Sequence, residues 1–396
     1  MKKKIAFIST DWAQSEERKK NNSYGGVSYY RLVKPMEYLK KWYECEYLGA
    51  DIQKLAEGKT TEQFYDYLAM KYDMIITKQI DNPQAIAALS FFCKMRGVPL
   101  IMDLDDNLYE VREDQPAYEH YKKGEQKRAF MATAVTMADA IFTSTVPLKE
   151  IVEKTNKEVF KTESPIYILP NYNDIKDFPE NEGKSDEFLI GWQGSTTHNA
   201  DLKIILPVLD KIMQKYSDVY LMLMGGIEEK AIQELFKDWS EESIKRLAIV
   251  GGTPSWEGYP QLLSKQAWNL GLAPLVDEPF NRSKSHIKWM EYATQKIPCL
   301  ASRVYPYSMP INRQPTIVES FNGLLFGTPE EFEEKLTYLI ENRETLKTIG
   351  ENAYDTVKKD WQYKDHIEEW HTAIEDVFTN YKNQSQSIKK QLRKTK

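Results

Sequence analysis

Twice along the chain, short apolar runs alternate with longer segments of helical period, and one polar stretch separates the two series. Apolar runs of this length suit buried strands, and helical crossovers between them are what parallel pairing requires. The first series predicts strands at Ile5–Ser9, Met74–Thr77, Leu100–Asp103, Ala140–Ser144 and Tyr167–Pro170. Helices are expected between them at Val27–Lys41, Gln84–Met95 and Lys127–Met137. Around Asn171–Asp186 the pattern gives way to Asn, Asp, Pro, Glu and Gly, a linker composition. It restarts with expected strands at Phe188–Gly191, Tyr220–Met224, Leu247–Val250, Leu270–Pro274 and Cys299–Ala301, and crossovers at Asp201–Lys215 and Lys284–Thr294. The expected fold is α/β: two facing Rossmann-like domains with parallel sheets and an interdomain cleft. The first domain spans residues 1–172, the linker 173–186 and the second domain 187–352, with 382–396 a basic tail.

Composition narrows the function classes. A chain of 396 residues with 41% hydrophobic and 28% charged residues has the profile of a globular protein with more than one core. Its net charge of −6 gives no chain-wide attraction to nucleic acid or anionic lipid, so any such contact rests on a local basic patch. Cys45, Cys93 and Cys299 lie far apart, which suits neither a disulfide framework nor a zinc site and points to a reducing cytoplasm. After Met1-Lys2-Lys3-Lys4 only four apolar residues precede Ser9, too few for an export signal. No segment approaches the roughly 18–20 apolar residues of a membrane span.

In open parallel sheets ligands collect beyond the carboxyl ends of strands, where helix N-termini offer free N–H groups. Ser23-Tyr24-Gly25-Gly26-Val27 opens a helix carrying Tyr30 and Arg31; paired glycines let the backbone approach a ligand, although the Gly-x-Gly-x-x-Gly dinucleotide fingerprint is absent. Asp103, Asp105 and Asp106 crowd the end of the Leu100 strand, where carboxylates could orient hydroxyls or assist a proton transfer, with a divalent metal as a less favoured use. Gly194 and Ser195, in the loop that leads to His198, suit a phosphate or sugar. The richest cluster is Asn281-Arg282-Ser283-Lys284-Ser285-His286-Ile287-Lys288-Trp289-Met290-Glu291. Here Lys284, Lys288 and Glu291 share one helical face, and Arg282, Ser283 and Lys284 would hold a diphosphate at the helix start. Glu291 would accept from ribose hydroxyls. A plain Lys288–Glu291 surface pair is the bland alternative.

These residues resemble glycosyltransferase family 4, whose retaining enzymes share the GT-B fold. Gly25-Gly26 is similar to that family's N-terminal glycine loop, Ala138–Ser144 to the strand that closes its first sheet, and Leu169-Pro170-Asn171 to the Pro-Asn pair before its linker. Met224-Gly225-Gly226 resembles a glycine-rich strand end, and Asn322-Gly323-Leu324-Leu325 a late Asn-Gly loop. Glu291 with Ile297-Pro298 resembles the second glutamate of Glu-x7-Glu and the turn after it. Residues 353–381, with Trp361, are similar to helices that return to the first domain. The sequence departs from the family at Ser283, where the first glutamate would stand, at Lys296 in place of glycine, and at Asp105 in place of histidine.

The resemblance implies a glycosyltransferase using a UDP-, GDP- or ADP-sugar, with no cofactor and no metal, because a helix dipole and basic side chains balance the leaving diphosphate. The implied catalytic set is Asp105, Asp106, Lys284 and Glu291. Gly194, Ser195, Gly225, Arg282 and Ser283 join Lys284 and Glu291 on the donor side; Gly25, Gly26, Arg31 and Asp103 receive the acceptor. Family breadth points to a glycan or lipid-linked acceptor, with peripheral membrane contact open, and a hydroxylated DNA base remains an alternative. An epimerase or hydrolase of the same architecture, or a non-catalytic sugar-nucleotide-binding module, would fit the same residues; no oligomeric state is indicated.

Overall fold

The computed structural model describes residues 1–394 apart from 79–81, 114, 116, 184, 227, 312 and 313. Two six-stranded sheets, parallel throughout, take up the two series of apolar runs. The first contains β1 (Lys4–Ile8), β2 (Glu44–Leu48), β3 (Met74–Lys78), β4 (Leu100–Leu104), β5 (Ala140–Thr143) and β6 (Ile166–Ile168), in the order β2-β1-β3-β4-β5-β6. The second contains β7 (Phe188–Ser195), β8 (Val219–Gly226), β9 (Leu247–Gly251), β10 (Leu270–Ala273) and β11 (Cys299–Ser302). A small hairpin of β12 (Pro310–Ile311) and β13 (Gln314–Pro315) precedes its last strand, β14 (Leu324–Phe326), and the order is β14-β11-β10-β7-β8-β9. Strand order reverses at β1/β3 and at β7/β10, the positions where doubly wound sheets open a crevice for ligands.

Alternation along β1 shows how each sheet is covered. Ala6 and Ile8 pack with Leu68, Leu89 and Leu100 on one face. Ile5 and Phe7 pack with Leu32, Leu39 and Trp370 on the other. A strand buried on both faces must read as a continuous apolar run, which is why these central strands stand out in the sequence. β2 does not, because as an edge strand it keeps Glu44 and Glu46 toward water and only Leu48 is buried. β14, three residues long, forms the other unexpected edge, immediately after Asn322-Gly323.

Two expected helices differ in detail. Val27–Lys41 is a helical segment over Gly26–Leu39, widened into a π turn at Tyr29–Val33. Asp201–Lys215 breaks into Asn199–Lys203 and Leu206–Lys215, since Pro207 lacks an N–H and tolerates only the first turn of a helix.

The chain crosses between the sheets twice, side by side. Asn173 N–H donates to the Trp361 carbonyl at 2.8 Å, and Tyr363 N–H to the Asn173 carbonyl at 3.0 Å. The second crossing is at Trp361–Tyr363 rather than at residue 353, because Ala353 and Val357 still pack against Trp289, Met290 and Ala293 of the second half. The helix Tyr363–Lys394 then places Ile367, Trp370, Ile374 and Val377 on the first sheet. It continues through most of the expected tail. No helix among the described residues is long and apolar enough to cross a membrane.

Candidate active site

Loops from the carboxyl ends of both sheets enclose a cavity of about 490 Å³. From the second half, β7 delivers Gln193, Gly194 and Ser195, and β8 delivers Met224, Gly225 and Gly226. Gly225 has φ +136°, and a Cβ there would stand 1.9 Å from the Gly194 carbonyl oxygen, so the two strand ends touch through bare backbone.

The expected helix at Lys284–Thr294 begins later. Glu278 caps a separate turn, Pro279–Arg282, by accepting from the N–H groups of Phe280 and Asn281. Pro279 suits the first position of that turn, and the helix proper runs Ile287–Thr294. This sorts the expected diphosphate group. Arg282 points to solvent and pairs with Asp277 at 2.6 Å, while the buried Ser283 hydroxyl donates to the Pro279 carbonyl. Neither lines the cavity; Lys284, Ser285, Ile287, Lys288 and Glu291 do. The loop 283–286 is also held by the first half: Thr145 donates to the Ser283 carbonyl at 2.8 Å, and Asn171 to Ser285 Oγ at 2.9 Å.

Glu291 is the carboxylate on which three donors of the cavity converge. Its Oε1 accepts from the Tyr30 hydroxyl at 2.9 Å; its Oε2 accepts from Gln193 at 2.6 Å and from the Tyr259 hydroxyl at 2.8 Å. Burial pushes the carboxyl up to about 7, against the pull of those donors and of Lys288. Lys288 does not pair with Glu291. Its ammonium lies 3.1 Å from His198 Nε2 and over the Trp192 ring. His198 in turn meets Asp201 at 2.7 Å. Burial and the neighbouring Lys284 push Lys288 down to about 8, and burial with Lys288 pushes His198 down to about 3.

On the facing wall the three aspartates diverge. Asp103 is fully buried in a two-pronged pair with Arg31, at 3.0 and 2.7 Å, and Arg31 also donates to Asn171 at 3.0 Å and to the Leu169 carbonyl. Burial opposes the charge on Arg31, and Asp103 more than offsets it. The two form a buried strut: Arg31 lines the cavity on the side expected to receive the acceptor, and Asp103 lies behind it and does not line the cavity. Asp105 pairs with Lys78 at 2.7 Å; burial would raise its carboxyl, but Lys78, Arg31 and Lys284 hold it low. Asp106 reaches across the cleft to Lys284 at 3.5 Å. With each carboxylate turned to its own cation, the described residues contain no group of three arranged to hold a metal ion.

Gly26 lines the cavity, whereas Gly25 caps the helix and donates its N–H to Asp11 at 3.0 Å. Around them the two halves interlock. Trp256 N–H donates to the Tyr24 carbonyl at 2.8 Å, and its ring stacks on Tyr29 with centroids 4.0 Å apart. Sequence reasoning did not single out Tyr30, Gln193, Trp256 or Tyr259 for the site. Gln193 sits within the Gly- and hydroxyl-rich loop, but Trp256 and Tyr259 lie in a Ser-Trp-Glu-Gly-Tyr stretch with no recognisable spacing.

Residues 225–372 match a family model described as glycosyl transferase-like. The chain carries a glycosyl transferase-like region. That region supplies Gly225, Tyr259, Lys284, Lys288 and Glu291 to the cavity. The fold is GT-B, shared with solved structures at low identity. HepE of Anabaena, in complex with UDP and glucose, is 14% identical over 94% of this chain and 99% of that chain, with a TM-score of 0.59. Sucrose-phosphate synthase of Thermosynechococcus elongatus is 16% identical over 96% and 100%, with a TM-score of 0.66. A glycosyltransferase of Rickettsia africae is 12% identical over 96% and 99%, with a TM-score of 0.62. No curated protein sequence matches the chain.

Proposed function

We propose that the chain transfers a sugar from a nucleoside-diphosphate donor, held on the glycosyl transferase-like region, to an acceptor hydroxyl at the facing wall. The observation that carries this reading is the convergence on one cavity of a cation, Lys284, a densely bonded carboxylate, Glu291, and bare glycine backbone at Gly194 and Gly225. These are the three things a sugar nucleotide asks for: positive charge at the diphosphate, an acceptor for ribose hydroxyls, and room for close backbone approach.

In this reading Lys284 meets the diphosphate and Glu291 the ribose, which replaces Tyr30 or Tyr259 as hydrogen-bond donor. Asp106 frees itself from Lys284 and orients the acceptor hydroxyl, while Asp105, fixed by Lys78, shapes the wall. The acceptor oxygen bonds to the anomeric carbon as the carbon–oxygen bond to the diphosphate breaks, and the acceptor proton passes to the departing phosphate oxygen. Transfer on one face gives retention, and the cationic wall stabilises the leaving diphosphate without a metal. The acceptor in this reading is a glycan or lipid-linked glycan, one of whose hydroxyls Asp106 can orient. Mass spectrometry with UDP-, GDP- and ADP-sugars and a panel of hydroxyl acceptors tests the reading. A donor consumed without transfer to any acceptor would indicate a hydrolase or epimerase instead.

A further inference from the structure

Lys288 stands beside Lys284 on the same wall of the cavity, and no described carboxylate lies within ion-pair distance of it. Its partner is a neutral ring. Asp201 is fully buried, and its Oδ1 accepts from Asn281 at 2.7 Å and from Val276 N–H at 2.9 Å. His198 Nδ1 therefore carries a proton and donates it to Asp201 Oδ2, leaving Nε2 to accept from the Lys288 ammonium. An ammonium has three donors, so two remain for a ligand. A carboxylate in place of His198 would neutralise Lys288; an imidazole orients it and leaves its charge uncompensated. The same Asp201 Oδ1 accepts from Arg112 of the first half at 3.2 Å, so the pair is also tied across the cleft. The nearby charges are Lys284, Asp201 and Glu291.

Resting on the sugar-nucleotide reading, we propose that Asp201 and His198 are a positioning pair that aims Lys288 at the donor diphosphate, with Arg112 fixing the pair when the two halves are together. Lys288 is then a second phosphate-binding cation, distinct in setting from Lys284, whose counter-ion Asp106 comes from the acceptor wall.

Binding of UDP, GDP and ADP to the intact chain is measured by calorimetry, with uridine, guanosine and adenosine as controls. For the diphosphate that binds, Lys288→Met and His198→Ala are expected to weaken affinity on the order of tenfold or more while the matching nucleoside binds as to the wild type. His198→Gln, which restores an acceptor for the ammonium, should recover most of the loss. Arg112→Ala should fall between. If the wild type binds none of the three diphosphates, the sugar-nucleotide reading itself fails. If it binds one and Lys288→Met and His198→Ala bind equally well, the reading stands and this inference is overturned. Equal loss of nucleoside and diphosphate by His198→Ala, or a thermal melt showing that it is unfolded with Lys288→Met unaffected in binding, also overturns it.

Discussion

The hydroxyl of Tyr30 crosses the cleft to donate to Glu291 Oε1 at 2.9 Å, so the carboxylate assigned to the ribose is also a fastening between the two halves. Tyr30 lies in the π turn Tyr29–Val33, a widened turn of the kind often found at functional sites. A nucleotide competing for Glu291 would loosen that fastening. Tyr30→Phe is expected to raise affinity for the bare nucleoside diphosphate, because one competitor for Glu291 is gone, and to lower the transfer rate, because closure loses a contact. Calorimetry and turnover assays read the two effects separately; equal affinity in the variant would remove Tyr30 from the donor site.

The same carboxylate sets a pH dependence. Burial raises Glu291 from 4.5 to about 7, so the folded state keeps a proton that the unfolded chain releases. Its contribution to stability is therefore full below 4.5 and is lost as pH rises to about 7. For donor use the sign reverses, since ribose hydroxyls need the ionised form. The rate at low donor concentration should climb through pH 7 and fall again as Lys288 loses its proton near 8. Glu291→Gln should abolish the rising limb and flatten the melting temperature between pH 5 and 7.

Lys284 carries the largest expected single effect on donor binding. Replacing it with alanine removes a charged hydrogen bond to the diphosphate, about 1.5–3 kcal/mol, or roughly ten- to a hundredfold in affinity. It also frees Asp106. Unchanged nucleotide affinity in calorimetry would move the diphosphate elsewhere.

The Arg31–Asp103 strut is a stability element. Asp103→Asn takes the paired carboxylate charge from a fully buried guanidinium, and breaking such a pair from one side costs about 3–5 kcal/mol. The denaturant midpoint should drop accordingly. Loss of transfer without loss of stability would instead return Asp103 to the acceptor.

Much of this was legible because the central strands are buried on both faces and announce themselves as apolar runs. β2 escaped because an edge strand open to water needs no such run, and β14 because its buried Leu324-Leu325-Phe326 is only three residues long. Of the residues that line the cavity, Glu291 was visible through its place in a helical period and Lys284 through the basic cluster before it, although Lys284 lies in the loop ahead of the helix. Tyr30, Gln193 and Tyr259 were not, because they converge on Glu291 from sequence distances of 261, 98 and 32 residues. The burial of Asp103 was hidden for a related reason: it lies near the end of a strand and turns into the core toward Arg31, whereas Asp105, just past that strand, turns toward Lys78. Charge at a strand's carboxyl end is evident in sequence, whereas the partner that takes it up comes from another crossover.

Asp106 separates the two walls. It is the most exposed of the three aspartates, and its partner at 3.5 Å is the cation assigned to the donor diphosphate. When a diphosphate takes Lys284, Asp106 is released toward the cleft, where an acceptor hydroxyl is the available donor. Closure around that pair excludes water and favours transfer over hydrolysis. Asp106→Asn is therefore expected to cut transfer at least tenfold, the scale of one lost positioning contact, while nucleotide affinity stays level or rises as Lys284 is relieved of its counter-ion. Initial rates across acceptor concentrations, set beside calorimetry with the nucleoside diphosphate, distinguish the outcomes. A variant that lost donor affinity and kept its acceptor response would place Asp106 on the donor wall and exchange the roles of the two halves.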